Sequence, residues 1–167
     1  MQPRPPTSTQ QQFLSFALSD QHWLLLSTAQ LTEVLQVDPQ SITKVPEMPS
    51  VVMGVCPWQG RILWVIDLRQ WSRLSTINAP FVPPVQYQIL AVNSQWGEVG
   101  YFIYQVGSII TVDPRLIQPL NLSTLPDGYQ FCVPHAYLQG IWTTPQGNPI
   151  PIIDGDAIAA QIRSLQN

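Results

Sequence analysis

Two stretches far apart in this chain read as copies of one unit. Gly54-Val-Cys-Pro-Trp-Gln-Gly60-Arg-Ile-Leu-Trp-Val-Ile-Asp67 and Gly140-Ile-Trp-Thr-Thr-Pro-Gln-Gly147-Asn-Pro-Ile-Pro-Ile-Ile-Asp154 share one order: glycine, a turn ending in Gln-Gly, an apolar run, aspartate. The spacing from the second glycine to the aspartate is the same in both, and the later turn carries one extra residue. A supersecondary unit repeated in each half predicts two similar lobes. In the first copy, residues 51–56 form one strand, Pro57-Trp58-Gln59-Gly60 the turn and residues 61–68 the second strand. Proline fixes φ early in that turn and Gly60 can take a positive φ at its end. The run Ile62 to Ile66 is apolar throughout, so cover on both faces is expected. Gly54, Gly60, Asp67, Gly140, Gly147 and Asp154 are the structural marks of the unit.

The rest of the chain divides around these units. Residues 1–11 are polar and rich in Pro and Gln, a disordered tail by composition. Residues 13–18 (FLSFAL) and 22–27 (HWLLLS) flank Ser19-Asp20-Gln21 as a hairpin. Residues 28–36 fit a helical turn or a strand; in the second case Leu31, Glu33 and Leu35 share a face. Residues 37–50, with three prolines, read as a loop. Residues 78–84 (NAPFVPP) are a stiff connector. The second lobe opens with strands at 87–93 and 99–106, continues at 109–112, then a Pro-rich loop over 113–128 and a short strand at 129–133. A C-terminal helix over 154–166 is capped by Asp154 or Asp156, and Ile158, Ile162 and Leu165 dock it. The expected division is a first lobe at 12–77, the connector, a second lobe at 85–153 and the helix. The fold class is mostly β: two small barrels or curled sheets with short helices.

Charge narrows the partners. Charged residues are 10% of the chain, against about 25% in an ordinary globular protein. The solvated face must therefore be built from Gln, Ser, Thr, Asn and Pro, a surface prone to associate. Net charge is -3, with seven scattered lysines and arginines. No basic stripe exists to neutralise phosphates, which argues against nucleic acid. No signal-peptide core and no run near the ~20 apolar residues of a membrane span occur, so a cytoplasmic protein without membrane insertion is expected.

Catalytic chemistry finds little support. Cys132 and His135 form C-x-x-H without a second ligand pair, so no metal is expected. Neither a nucleophile elbow nor a Gly-rich phosphate loop occurs, and no cofactor is expected. Asp67, Asp154 and Asp156 read as strand-end and helix caps. Cys56 and Cys132 read as buried reduced thiols. The unusual feature is aromatic, with six tryptophans. Trp64 reads as core. Trp58 and Trp96 fall at turn tips, where each is either an interface anchor or folded back over its own lobe.

Residues 12 to 165 resemble the CheW-like adaptor domains of chemotaxis. The resemblance rests on Val45-Pro46-Glu47-Met48-Pro49, on Gly54-Val55, and on Gly60 through Ile66-Asp67-Leu68-Arg69. Residues 13–18, Val99-Gly100 and Tyr137-Leu138-Gln139-Gly140 match further landmarks. It implies two five-stranded barrels, of the Src-homology-3 type, around a shared core, with no activity and no cofactor. It implies two partners, the regulatory domain of a CheA-type histidine kinase and the cytoplasmic tip of a chemoreceptor. Carried over by position, the receptor groove involves Leu31, Glu33, Val106 and Ile109, with Trp58-Gln59-Gly60 near the contact surface. The family turn is usually Asn-Leu-Arg-Gly; here Gln59 stands where the arginine does, and Tyr104-Gln105 stands for an Asp-Gly. The alternative is a diverged module that binds a small ligand or a single partner without coupling to a receptor.

Overall fold

The computed structural model describes residues 9–72, 84–120 and 133–165. The strands in chain order are β1 (Gln11–Ala17), β2 (Trp23–Ser27), β3 (Leu31–Val37), β4 (Val52–Trp58), β5 (Arg61–Asp67), β6 (Tyr87–Ser94), β7 (Gly97–Ile103), β8 (Gln105–Val112), β9 (Ile117–Gln118), β10 (Leu138–Thr143) and β11 (Pro149–Ile153). The helices are α1 (Leu68–Trp71) and α2 (Gly155–Ser164). Apart from Pro84 and Val133, the expected connector and the strand at 129–133 lie outside the described residues, as does Cys132.

Two sheets result, in the orders β8-β1-β2-β11-β10-β9 and β3-β6-β7-β5-β4. Neither closes among the described residues, so the mostly β fold of two sheets is seen and the expected barrels are not confirmed. Closure needs a partner along the full edge. Among the described residues, the two-residue β9 alone follows β10, and one bridge, Thr43 to Val55, lies beyond β4.

The repeat is visible in the order of elements. Each half runs hairpin, edge strand, Asp-Pro 3-10 turn, bridging segment, second hairpin, Asp-capped helix. Asp38 and Asp113 each accept the backbone N–H two residues on and start the 3-10 turns at Pro39–Ser41 and Pro114–Leu116. Asp67 caps α1 by accepting from Arg69 and Gln70, and Asp154 caps α2 by accepting from Asp156 and Ala157. Both second hairpins carry a bulge at the marked glycine, before Gly54 and before Gly140.

The sheets do not follow the halves. The β1–β2 hairpin pairs with β8 on one side and, in parallel, with β11 on the other. The β6–β7 hairpin pairs with β3 and, in parallel, with β5. Each half has placed its first hairpin in the sheet completed by the other.

The main core lies between the sheets. Leu14, Phe16, Leu24 and Leu26 of the first sheet meet Ile66, Leu90, Val92 and Tyr101 of the second, with Ile158 and Ile162 of α2 beside them. Each sheet also carries a smaller cluster on its far face: Phe13, Leu25, Val112 and Ile152 on the first, and Cys56, Trp58, Leu63, Val65, Ile89, Ala91 and Phe102 on the second. Tyr101 donates from its buried hydroxyl to the Gly155 carbonyl at 2.8 Å, tying β7 to α2. Trp71 of α1 donates to Gln161 of α2 at 2.8 Å.

Three packing expectations change. The apolar run of β5 is not covered on both faces, since Ile62 is 68% exposed and Trp64 only half-buried. The helix α2 reaches the Asp67 end of β5 and leaves the turn end open. Leu165 is exposed, so α2 docks through Ile158, Ala159 and Ile162 instead.

Candidate partner-binding surface

The β4–β5 hairpin turns on two residues. Trp58 pairs with Arg61, and Gln59 and Gly60 sit at φ 48 and φ 72 between them. Two successive positive φ values match the right-handed twist of the flanking strands. The turn is therefore shorter than the sequence suggested. Pro57 lies in the ladder opposite Ile62, which costs little because β4 is an edge strand and needs no proline N–H there.

Glu33 organises this tip. Its Oε2 accepts from Trp58 Nε1 at 3.0 Å and from Gln59 Nε2 at 3.2 Å. The Trp58 ring is turned into the far-face cluster and is 8% exposed, so it takes the folded-back alternative. The Arg61 guanidinium stands over that ring at 5.7 Å. Glu33, Trp58, Gln59 and Gly60 thus form one contiguous group.

Leu31, Val106 and Ile109 form another. A bulge in β3 between Leu31 and Glu33 puts Leu31 opposite Val92 and Glu33 opposite Ala91. Val92 belongs to the interlayer core and Ala91 to the far-face cluster. Leu31 and Glu33 therefore face opposite sides, because the extra residue breaks the period-two alternation that would have kept them together. Leu31 and Val106 both pack on the interlayer core. The Val106 N–H donates to Gln88 Oε1 at 2.7 Å, and Gln88 sits opposite Gln36 of β3, so β8 starts beside the β3–β6 ladder. Ile109 is 61% exposed opposite Leu14, and Val34 of β3 is exposed opposite Leu90. Leu14 and Leu90 are interlayer residues. The edge strands β3 and β8 thus present apolar side chains along the margin of the interlayer core. Val34 was missed in the sequence because it fits a helical spacing as well as a strand.

The remaining candidates for chemistry have structural partners. His22 Nδ1 shares a hydrogen bond of 2.7 Å with Ser19 Oγ in the β1–β2 turn. Burial pushes the Cys56 thiol above its ordinary pKa, which disfavours the reactive thiolate. Among the described residues, no three His, Cys, Asp or Glu side chains gather to hold a metal, and no helix is long and apolar enough to cross a membrane.

Comparison with known proteins agrees with this architecture. No curated protein matches the sequence. Among solved structures, the scaffolding protein TtCheW from Thermoanaerobacter tengcongensis is similar in fold, with a TM-score of 0.72 and 24% identity over 89% of this chain and 91% of that one. The family model described as CheW-like domain matches residues 12–163. The open two-sheet fold, its paired edge strands and that match over nearly the whole chain place it: this protein belongs to the CheW-like domain family.

Proposed function

We propose that the chain is a non-catalytic adaptor that holds a receptor and a CheA-type histidine kinase together in a cytoplasmic signalling array. Family membership over residues 12–163 carries the reading. The edge strands support it. Val34 on β3 and Val106 and Ile109 on β8 offer apolar contact at the margin of the interlayer core, a surface suited to an amphipathic helix laid along a groove. The hairpin tip with Glu33, Trp58, Gln59 and Gly60 supplies a separate polar contact for a protein partner. The low charge of the surface suits a protein that works docked to others.

The test is co-elution from a sizing column with the regulatory domain of a CheA-type kinase from the same genome. A stable complex at tens of micromolar is expected; separate elution overturns the kinase linkage. Receptor coupling is tested at Gln59. Glu33 accepts there from a neutral amide, and an arginine would bring charge and further donors. Gln59→Arg should raise affinity for a conventional receptor tip by about two- to fivefold. An unchanged titration means that this tip does not meet the receptor.

A further inference from the structure

On the side of β5 and β7 covered by α2 lies a cleft of about 180 Å3. Trp64 and Val99 form its sheet wall, Ala159 and Ile162 its helix wall, and Trp96 and Arg163 its rim. Ala159 presents only a methyl group to this gap, whereas Ile158 and Ile162 of the same helix are packed into the interlayer core. Trp96 is 48% exposed, although its position is fixed. Its backbone N–H donates to Ser94 Oγ at 3.2 Å, Ser94 Oγ donates to the Gly97 carbonyl at 2.6 Å, and the adjacent Gln95 backbone N–H donates to Asp156 Oδ1 of α2 at 2.8 Å. The turn is thus clamped to the first turn of the helix while Arg163, from the last, stacks on the indole at 4.7 Å. Two indoles are therefore held at an unfilled apolar gap.

Charge and size define the occupant. Among the described residues Arg163 makes no ion pair and rests against the Trp96 ring. Glu98 also borders the cleft; its Oε1 accepts from Thr32 Oγ1 at 3.3 Å, while its Oε2 is buried without a hydrogen bond, 3.8 Å from the Arg61 guanidinium. Asp156 is held by Gln95. The exposed charge at the mouth is the Arg163 guanidinium, since the unbonded Glu98 oxygen is buried. The volume is close to the ~150 Å3 that holds one benzene ring and below the ~300 Å3 at which pockets for free small ligands begin. A single aromatic side chain fills it, and the rest of the ligand must lie outside.

We propose that this cleft is a second docking site, which takes an aromatic side chain of a partner protein whose neighbouring residue is Asp or Glu. The ring enters between Trp64 and α2, and the carboxylate meets Arg163 at the mouth. The lining of the cleft is distinct from the Glu33 tip and the β3 and β8 edges, to which only Glu98 connects it through Arg61 and Thr32. The proposal does not depend on the adaptor reading.

The experiment follows the tryptophan indole N–H resonances of the full chain during titration. The probes are the peptides acetyl-Ala-Ala-Phe-Glu-Ala-amide and acetyl-Ala-Ala-Phe-Gln-Ala-amide, with free N-acetylphenylalanine beside them. The Trp64 and Trp96 signals should move, with the Glu peptide bound about fivefold more tightly than the Gln peptide. Arg163→Gln should erase that difference. Ala159→Met, which fills the cleft from the helix side, should abolish the shifts, and its melting temperature shows whether it is folded. Equal binding of the two peptides, or no shift at Trp64 and Trp96, overturns the proposal. Free N-acetylphenylalanine binding as tightly as the Glu peptide overturns the protein partner in favour of a small aromatic acid.

Discussion

The β4–β5 hairpin turns on Gln59 and Gly60 and is followed by a helix of one turn, α1. The β10–β11 hairpin, its counterpart, leaves residues 144–148 between Thr143 and Pro149 and is followed by the longer α2. Both have a glycine beside a bulge, a crossing segment against that glycine, and an aspartate that ends the strand and caps the helix. The tight hairpin carries the Glu33 cluster, while the longer helix covers the interlayer core. The two units share their joints and differ in what is attached to those joints.

The equivalent glycines give the largest test of that comparison. Gly54 has φ 145, and a Cβ there would run into the Thr43 carbonyl. At Gly140 a Cβ would lie 2.9 Å from the Gln118 carbonyl, without the positive φ. Both sites are crossed by backbone, but only the first adds a conformation that L side chains avoid. Gly54→Ala should cost about 3 kcal/mol or more, and Gly140→Ala about 1–2 kcal/mol, by chemical denaturation. Equal losses would mean that the joints are equivalent after all.

A smaller effect is expected at the tip. Gly60 has φ 72 with open space around its missing side chain, so Gly60→Val pays only for conformation. About 1–2 kcal/mol is expected, read as a lowered melting temperature. An unchanged melting temperature would remove the two-residue turn from the description and make the two hairpins alike.

The smallest effect is a pH dependence at Asp67. Burial raises its carboxyl above the ordinary value, while N–H bonds from Gln70 and Arg69 and the Arg69 charge oppose that rise. The folded state then keeps its proton to higher pH than the unfolded chain does. The favourable contribution is full below the unfolded pKa near ~3.9 and is lost as pH rises through the folded value. Asp67→Asn removes this titration, so its stability relative to the parent should improve as pH is raised from about 3 to about 7. A shift in the opposite direction would show that the cap hydrogen bonds outweigh burial.

The β1–β2, β4–β5 and β10–β11 hairpins, both aspartate caps, the C-terminal helix and the repeated order were legible because each depends on residues close in sequence. The expected strand at 99–106, by contrast, runs across the break between β7 and β8 at Tyr104. The β3 segment was ambiguous because a bulge interrupts its alternation between Leu31 and Glu33. The Trp58 turn was misjudged because a proline, normally a turn residue, sits in an edge strand that tolerates it. For the site, the resemblance placed Glu33 in one groove with Leu31, Val106 and Ile109, whereas its hydrogen bonds go to Trp58 and Gln59. The separation of Leu31 from Glu33 depends on one inserted residue whose effect appears only when the partner strand is known. The parallel pairings of β2 with β11 and β5 with β7 left no sign either, since a strand's alternation records that a face is buried but not by which partner.

That exchange of hairpins has a consequence for the making of the protein. As the chain leaves the ribosome, β1–β2 appears first, yet its neighbours β8 and β11 are translated after β3 to β7. The earliest hairpin must wait with both edges open while later strands emerge, a period in which unpaired strand edges are exposed to the wrong partners. A stall beyond β7 would leave a nascent chain with all strands of the second sheet but not of the first.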